Sequence, residues 1–147
     1  MKLYDVKLTY TEIGESSDEV ITSASSVAIF LKPLFREYVQ QEQMRVVMLD
    51  GGNHIIGQTL ITLGLVNQTQ AHVRELFRPA IIAGAVSVII AHNHPSESLV
   101  ASKEDIETTK RVVEAGKLLD IPVLDHLIIT MNNGFTSIKG RNPSIFE

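Results

Sequence analysis

The sequence of 147 residues has no cysteine, and none of its apolar runs reaches the ~18 residues that a membrane-spanning helix requires. Without cysteine, a disulfide framework is excluded, and so are the thiolate-ligated zinc sites that usually serve a structural purpose. The first residues alternate as in a strand and lack the apolar core of a signal peptide. These absences favour a cytoplasmic protein that makes no contact with a membrane.

Basic residues are also few: 13 lysines and arginines stand against 17 aspartates and glutamates, which gives a net charge of −4. Non-specific binding to DNA relies on lysine and arginine to neutralise phosphates. Along residues 103–120 the basic residues are interspersed with acidic ones, which indicates a solvated helix face. The charge pattern therefore predicts no direct, tight binding to DNA.

The length suits one domain with a buried core, and we predict a single domain over residues 1–147. Strand patterns cover residues 2–10, 45–49, 54–63, 86–91, 123–130 and 135–139, and a polar connection covers residues 65–72. Helical spacing covers residues 23–40, 73–84 and 103–120. Strands mixed with helices, several of them joined by hairpins, predict an α/β (α+β) fold in which helices flank a mixed β-sheet.

Two details of the helices are specific enough to be checked. Pro33 lies inside the first helical pattern and should kink that helix or split it in two. On the third helix, the spacing of apolar residues predicts that Ile106, Val113 and Leu118 face inward.

The most informative pattern is His92-Asn93-His94-Pro95 at the end of an apolar strand, followed by Ser102 and Asp105. Two histidines two residues apart on a strand point to the same face, and a carboxylate from the first turn of the next helix can close on them. Two imidazoles and one carboxylate are three protein ligands, which leave the fourth position of a zinc ion open to water. The spacing therefore favours a catalytic zinc site over a structural one.

Simpler interpretations of the same residues stay open at this point. His92 and His94 could be the polar end of a buried strand, and Ser102 with Asp105 is also a helix-capping arrangement. Capping and metal binding are compatible, because a capped helix start is a rigid support for a ligand. His126, at the edge of a strand, is interpreted as a structural or supporting histidine rather than a ligand.

These motifs are part of a longer likeness to a known family. The chain closely resembles the RadC family, whose members carry a JAB/MPN-type domain with the JAMM metalloprotease motif. The segments that carry the likeness are residues 42–50, 73–80, 92–96, 102–105, 109–111, 114–119 and 124–126. The resemblance implies a JAB/MPN-like (cytidine-deaminase-like) architecture. The helix-hairpin-helix module that often precedes this domain in RadC proteins is not expected, because the first strand pattern begins close to the N-terminus.

The resemblance also implies roles for individual residues. His92, His94 and Asp105 fall on the ligands of one Zn²⁺ ion. Ser102 falls on the serine that steadies the oxyanion, and Glu42 falls on the glutamate that handles the proton of the attacking water.

The role of Glu42 rests on the resemblance alone, because no local pattern marks it. Glu37 and Glu75 are the competing carboxylates, and each is most simply explained as a solvated helix residue.

Three departures from the family pattern lie outside the ligands. Glu97 stands where RadC members usually have glycine after the second histidine, Ala101 replaces a proline before Ser102, and Val73 replaces a proline before Arg74. The loop that contains Glu97 borders the predicted site. A carboxylate there should disfavour acidic substrates, unless its side chain points to solvent.

The function implied by the resemblance is zinc-dependent hydrolysis of an amide or isopeptide bond in a peptide or protein conjugate. A DNA-repair accessory protein and a non-catalytic interaction module are the alternatives, and a homodimer formed through an edge strand is compatible with the pattern. A nucleoside deaminase is disfavoured because its Pro-Cys-x-x-Cys motif is absent. An HNH nuclease is disfavoured because its signature residues are dispersed along the chain, whereas His92, Asn93 and His94 are adjacent.

Overall fold

The computed structural model describes residues 1–5, 20–63 and 73–147. Its helices are α1 (Ala24–Leu31), α2 (Val73–Ile82), α3 (Lys103–Leu118) and α4 (Ile138–Arg141), with 3₁₀ turns at Lys32–Phe35 and Pro143–Phe146. Its strands are β1 (Gln43–Leu49), β2 (Ile55–Leu63), β3 (Ser87–Asn93), β4 (Val123–Ile129) and β5 (Phe135–Ser137). The predicted strand over residues 2–10 and the predicted connection over residues 65–72 lie largely outside the described residues, and residues 1–5 are in no strand.

The five strands form one mixed sheet in the order β2-β1-β3-β4-β5. β1 is antiparallel to both of its neighbours, β3 and β4 are parallel, and β5 returns antiparallel to β4. Parallel strands need a crossover connection, and α3 supplies it between β3 and β4. The predicted mixed sheet with flanking helices is confirmed.

Helices cover both faces of this sheet. One face packs against α2 and α3 through the cluster Met44, Val46, Met48, Leu76, Phe77, Ala80, Val88, Ile90, Val112 and Val113. The other face packs against α1 and the 3₁₀ turn after it through Val27, Leu31, Phe35, Val47, Leu49, Ile89, Ala91, Leu127 and Ile129. Because side chains alternate along a strand, His92 lies on the face of Val88 and Ile90, beneath α2 and α3.

The first helix is interrupted as Pro33 predicts. α1 begins at a capping box in which Ser23 and Ser26 each accept the other's backbone N–H, and it ends at Leu31. A 3₁₀ turn with Pro33 near its start then continues to Phe35. The predicted helix therefore stops short of residue 40.

The buried face of α3 differs from the prediction in one position. Val113 is buried and Ile106 is half-buried, but Leu118 is 86% exposed. Five residues of an α-helix turn through about 500°, so Leu118 points roughly 140° away from Val113. The buried positions are instead Asp105, Thr109, Val112, Val113 and Gly116.

Two of these buried positions on α3 are polar, which a hydrophobic stripe would not contain. At Gly116 a Cβ atom would lie 2.6 Å from the carbonyl oxygen of Ile121, so glycine permits the close approach of α3 to the chain that enters β4.

Among the described residues no helix combines the length and apolar character needed to cross a membrane.

Candidate metal centre

The end of β3 places two histidine rings side by side. His92 lies in the strand and is almost fully buried, and His94 lies one residue beyond the strand. The backbone N–H of His94 still donates to the carbonyl of Ile129, 3.1 Å away, so the sheet fixes its position. The Nε2 atoms of the two rings are 3.0 Å apart. Both side chains therefore face one point, as the i, i+2 spacing predicts.

The first turn of α3 brings a carboxylate to the same point. Asp105 is buried, with its Oδ1 3.2 Å from Nε2 of His92 and its Oδ2 3.3 Å from Nε2 of His94. Asp105 is also part of a capping box: its N–H donates to Oγ of Ser102, and the N–H of Ser102 donates to Oδ2. Capping and convergence with the histidines, the two interpretations of the sequence, occur together.

The donor set suits a cation. One ligand atom from each of His92, His94 and Asp105 can be chosen so that all three lie within 4.8 Å of one another. Nδ1 of His94 lies 2.8 Å from the carbonyl of Ser98, which can only accept a hydrogen bond. Neutral His94 therefore carries its proton on Nδ1 and presents the lone pair of Nε2 to the centre. Lone pairs and a carboxylate crowded at one point require a positive charge between them, from a proton or from a metal ion.

The pKa shifts of the groups at the centre also show that negative and positive charges stabilise each other there. Burial favours a raised pKa for the Asp105 carboxyl, but hydrogen bonds with His92 and His94 hold that pKa well below its usual range. The hydrogen bond with Asp105 raises the pKa of His94 against the opposing effect of burial, and the charge of Glu42 raises it further. Burial lowers the pKa of His126 well below its ordinary value.

Glu42 lies beside this centre for a reason of strand register. It immediately precedes β1 and is half-buried. The register pairs Met44 with His92, and two further residues along the antiparallel pair Glu42 stands opposite His94. Residues of the same parity share a face, so the backbone directs Glu42 to the side of the sheet that carries the histidines. Its effect on the pKa of His94 agrees with this placement.

Asn93, which the sequence presents only as a spacer between the histidines, holds the chain on both sides of Glu42. Its Oδ1 accepts the N–H of Gln43 at 2.6 Å, and its Nδ2 donates to the carbonyl of Gln41 at 3.0 Å. Asn93 is buried. Polar character at a buried strand position is the one signal that could have marked it in advance.

The competing carboxylates occupy other surroundings. Glu75 forms ion pairs of 3.2 Å with Arg74 and 3.0 Å with Arg78 on the surface of α2. Glu37 lies in an exposed turn after the 3₁₀ segment. The role of general base stays a prediction for Glu42.

The carboxylate of Glu97 is engaged by the backbone after β4, and an effect of its charge on substrates stays a prediction. Its carboxylate accepts the backbone N–H groups of Met131 and Asn132, at 3.1 Å and 3.0 Å, and so ties the loop to the turn between β4 and β5. Its φ is +63°, a left-handed conformation that glycine adopts without steric cost. That conformation gives the glycine usual in RadC members a physical reason.

We expect Glu97→Gly to lower the melting temperature, since the loop loses both backbone anchors and gains freedom in the unfolded chain. Glu97→Gln, which keeps the Cβ and one acceptor oxygen, should lower it less. Thermal unfolding followed by circular dichroism measures both. A gain in melting temperature for Glu97→Gly would mean that relief of the left-handed conformation outweighs the lost bonds.

The residues of this site lie in the part of the chain that matches a known family. The sequence profile of the RadC-like JAB domain matches residues 21–143. A UPF0758 protein of Moorella thermoacetica is 44% identical over 126 residues, which are 86% of this chain and 54% of that protein. Another, of Caldanaerobacter subterraneus, is 43% identical over 127 residues, again 86% of this chain and 54% of the relative.

A third UPF0758 protein, of Methanococcoides burtonii, is 43% identical over 109 residues, which are 74% of this chain and 47% of that protein. This chain thus spans about half the length of these curated relatives. The mixed sheet and its flanking helices are consistent with a JAB/MPN-like fold. The chain belongs to the RadC-like JAB domain family.

Proposed function

We propose that this domain hydrolyses amide or isopeptide bonds with the help of one Zn²⁺ ion held by His92, His94 and Asp105. The observation that carries the proposal is the convergence of two Nε2 atoms and a buried carboxylate at one point, with a further carboxylate, Glu42, next to it. Three protein ligands of these types are typical of catalytic zinc sites. A zinc ion supplies Lewis-acid polarisation of a carbonyl group and lowers the pKa of water to about 7.

The chain's own residues account for the proton transfers. The carboxylate of Glu42 accepts a proton from the attacking water while the water oxygen bonds to the scissile carbonyl carbon. When the carbon–nitrogen bond breaks, the same carboxyl returns the proton to the leaving amine. The products are a carboxylic acid and an amine, and Glu42 ends as it began.

In this proposal, Ser102 stabilises the negative oxygen that forms between these two steps. Its Oγ accepts the N–H of Asp105 in the capping box, and this bond does not use the hydroxyl hydrogen. That hydrogen is available as a donor at the rim of the centre, since Ser102 is exposed. A donor directed at the developing oxyanion lowers the barrier of acyl transfer.

A peptide or a protein conjugate is the substrate class that we propose, rather than a nucleic acid. The net charge of −4 opposes contact with phosphates. A cytoplasmic location and the absence of tight DNA binding belong to the same proposal.

The test of this function begins with metal-depleted protein. Calorimetric titration with ZnCl₂ should show one tight site per chain. Zinc-loaded protein should cleave members of a mixed peptide pool, or peptides joined through a lysine side chain, as detected by mass spectrometry, and a chelator should stop the cleavage. Zinc binding without cleavage of either substrate type would contradict the hydrolase and favour a metal-containing interaction module.

The two roles of Ser102 can be separated by two substitutions. Ser102→Ala should lower the free energy of unfolding by about 1 kcal/mol because the helix cap is lost, whereas Ser102→Gly should lower it by only a few tenths of that. Both remove the hydroxyl, so both should lower kcat by about 100-fold, the usual effect of one oxyanion donor. Chemical denaturation and steady-state assays measure the two effects. Full activity in Ser102→Gly would rule out the oxyanion role.

A further inference from the structure

A third histidine lies behind the candidate metal centre, and the proposed reaction does not use it. His126 on β4 has no exposed surface. Its Nε2 lies 2.8 Å from Nδ1 of His92, on the side of that ring opposite to Nε2. Its Nδ1 lies 2.7 Å from Oγ1 of Thr109 on α3. Both ring nitrogens of His126 are therefore engaged away from the centre, and His126 is not a ligand.

In this series of hydrogen bonds, the position of each hydrogen follows from the bond between Thr109 and Asp105. Oγ1 of Thr109 lies 2.6 Å from the backbone carbonyl of Asp105, and a carbonyl oxygen has no hydrogen to give. The hydroxyl hydrogen therefore points at Asp105. Towards His126 the same hydroxyl oxygen can only accept, so Nδ1 of His126 carries a proton.

The next link follows from the first. His126 is fully buried, and its two partners are a hydroxyl and an imidazole, neither of which carries a negative charge, so the neutral ring is favoured. A neutral ring protonated on Nδ1 has a lone pair on Nε2. Nε2 of His126 therefore accepts, and Nδ1 of His92 donates. The remaining nitrogen of neutral His92, Nε2, then keeps its lone pair towards the centre.

We propose that Thr109 and His126 are positioning residues that fix the tautomer of His92 so that its Nε2 can bind the metal ion. This inference rests on the proposed function only in supposing that a metal ion binds at the centre. Ligand histidines commonly donate their second N–H to a carboxylate or a carbonyl, groups that can only accept. An imidazole can either donate or accept, so His126 fixes His92 only if its own tautomer is fixed, and Thr109 does this.

The contacts of Asp105, His92, His126 and Thr109 form a closed ring of four residues. Asp105 supplies its carboxylate to the centre and its backbone carbonyl to Thr109, so both ends of the chain of hydrogen bonds lie on one residue of α3. The ring joins β3, β4 and the first turns of α3. Nδ1 of His94, by contrast, donates directly to a carbonyl in an exposed loop. The tautomer of His92 depends on side chains that substitution can remove, and that of His94 does not.

Nearly isosteric substitutions at Thr109 give the sharpest test. Thr109→Val removes the acceptor for Nδ1 of His126 and keeps the volume, and Thr109→Ser keeps the hydroxyl. We expect Thr109→Val to bind zinc about 10-fold to 100-fold more weakly, the usual loss for a partner behind a ligand, and Thr109→Ser to bind like the wild type. Competition with a chromophoric chelator measures zinc affinity, and circular dichroism checks that both variants fold.

A second measurement needs neither a variant nor hydrolysis. Nitrogen-15 spectra of the histidine rings in zinc-loaded wild-type protein should show the proton on Nδ1 in both His92 and His126. Wild-type zinc affinity in folded Thr109→Val, or a proton on Nε2 of His126, would overturn the inference. Zinc-loaded protein that shows these tautomers but cleaves no amide would overturn the proposed hydrolase and leave the inference standing.

Discussion

Glu42→Gln is expected to bind zinc as tightly as the wild type and to hydrolyse amides about 1000-fold more slowly. Glutamine has nearly the same size as glutamate, and Glu42 is not one of the three grouped ligands. The amide of glutamine cannot accept the proton of the attacking water. A general base raises the rate of such reactions by about 100-fold to 10,000-fold. Zinc titration and steady-state rates on one peptide, measured in parallel, separate the two effects.

Glu75→Gln is the matched control, because it makes the same change at the competing carboxylate. Glu75 is held by Arg74 and Arg78 on the surface of α2, so its loss should leave both zinc affinity and rate unchanged. A slow Glu75→Gln beside a fully active Glu42→Gln would transfer the role to Glu75. Loss of zinc in Glu42→Gln would make Glu42 a ligand instead of a base.

Asp105→Asn should leave α3 folded and weaken zinc binding by more than about 100-fold, the upper limit for residues that only support a ligand. The amide oxygen of asparagine can still accept the N–H of Ser102, so the helix cap survives. The negative charge that faces His92 and His94 is lost, and with it the group that raises the pKa of His94. Metal content after gel filtration and the circular dichroism spectrum report the two outcomes.

Glu104→Gln removes the same charge from the neighbouring residue of the same helical turn. Glu104 is exposed, so this variant should bind zinc normally. Equal zinc affinity in both variants and the wild type would show that the carboxylate of Asp105 is not a ligand. Unfolding of Asp105→Asn alone would assign the residue a structural role.

The convergence of His92, His94 and Asp105 could be predicted from the sequence. His92 and His94 share a face because a strand alternates, and Asp105 reaches them because a helix start follows a short loop. Each of these facts depends on residues close together in the sequence. The mixed sheet was predictable for the same reason, since the strand and helix patterns are separate and several turns are short.

The parts that escaped prediction depend on contacts between distant segments. Glu42 could be named only through the family resemblance, because its place beside His94 comes from the register of β1 on β3. The contact of His126 with His92 requires the parallel pairing of β4 with β3, and its contact with Thr109 requires the rotation of α3 about its own axis. Neither the register of the strands nor the rotation of α3 can be predicted from residues that are close together in the sequence.

The bonds of Glu97 and the exposure of Leu118 also depend on contacts that no local pattern shows. The sequence places Glu97 close to His94, but the hydrogen bonds of its carboxylate depend on its backbone conformation and on the turn after β4. The apolar character of Leu118 predicts that it faces inward, but the buried face of α3 runs through Asp105, Thr109, Val112, Val113 and Gly116. At Asp105 and Thr109, polar residues occupy buried positions that a hydrophobic pattern does not mark.

The hold of Asn93 on the chain around Glu42 has a consequence for how such proteins can diverge. The side chain of Asn93 bonds to main-chain atoms of Gln41 and Gln43, which every amino acid except proline possesses in full. The exposed side chain of Gln41 can therefore change without moving the base, whereas Gln43 is buried and its Nε2 donates to the carbonyls of Phe35 and Tyr38. A one-residue deletion there would be far more damaging, because it would turn Glu42 to the opposite face of the sheet. This part of the chain should thus tolerate substitution at residue 41 but not changes in length.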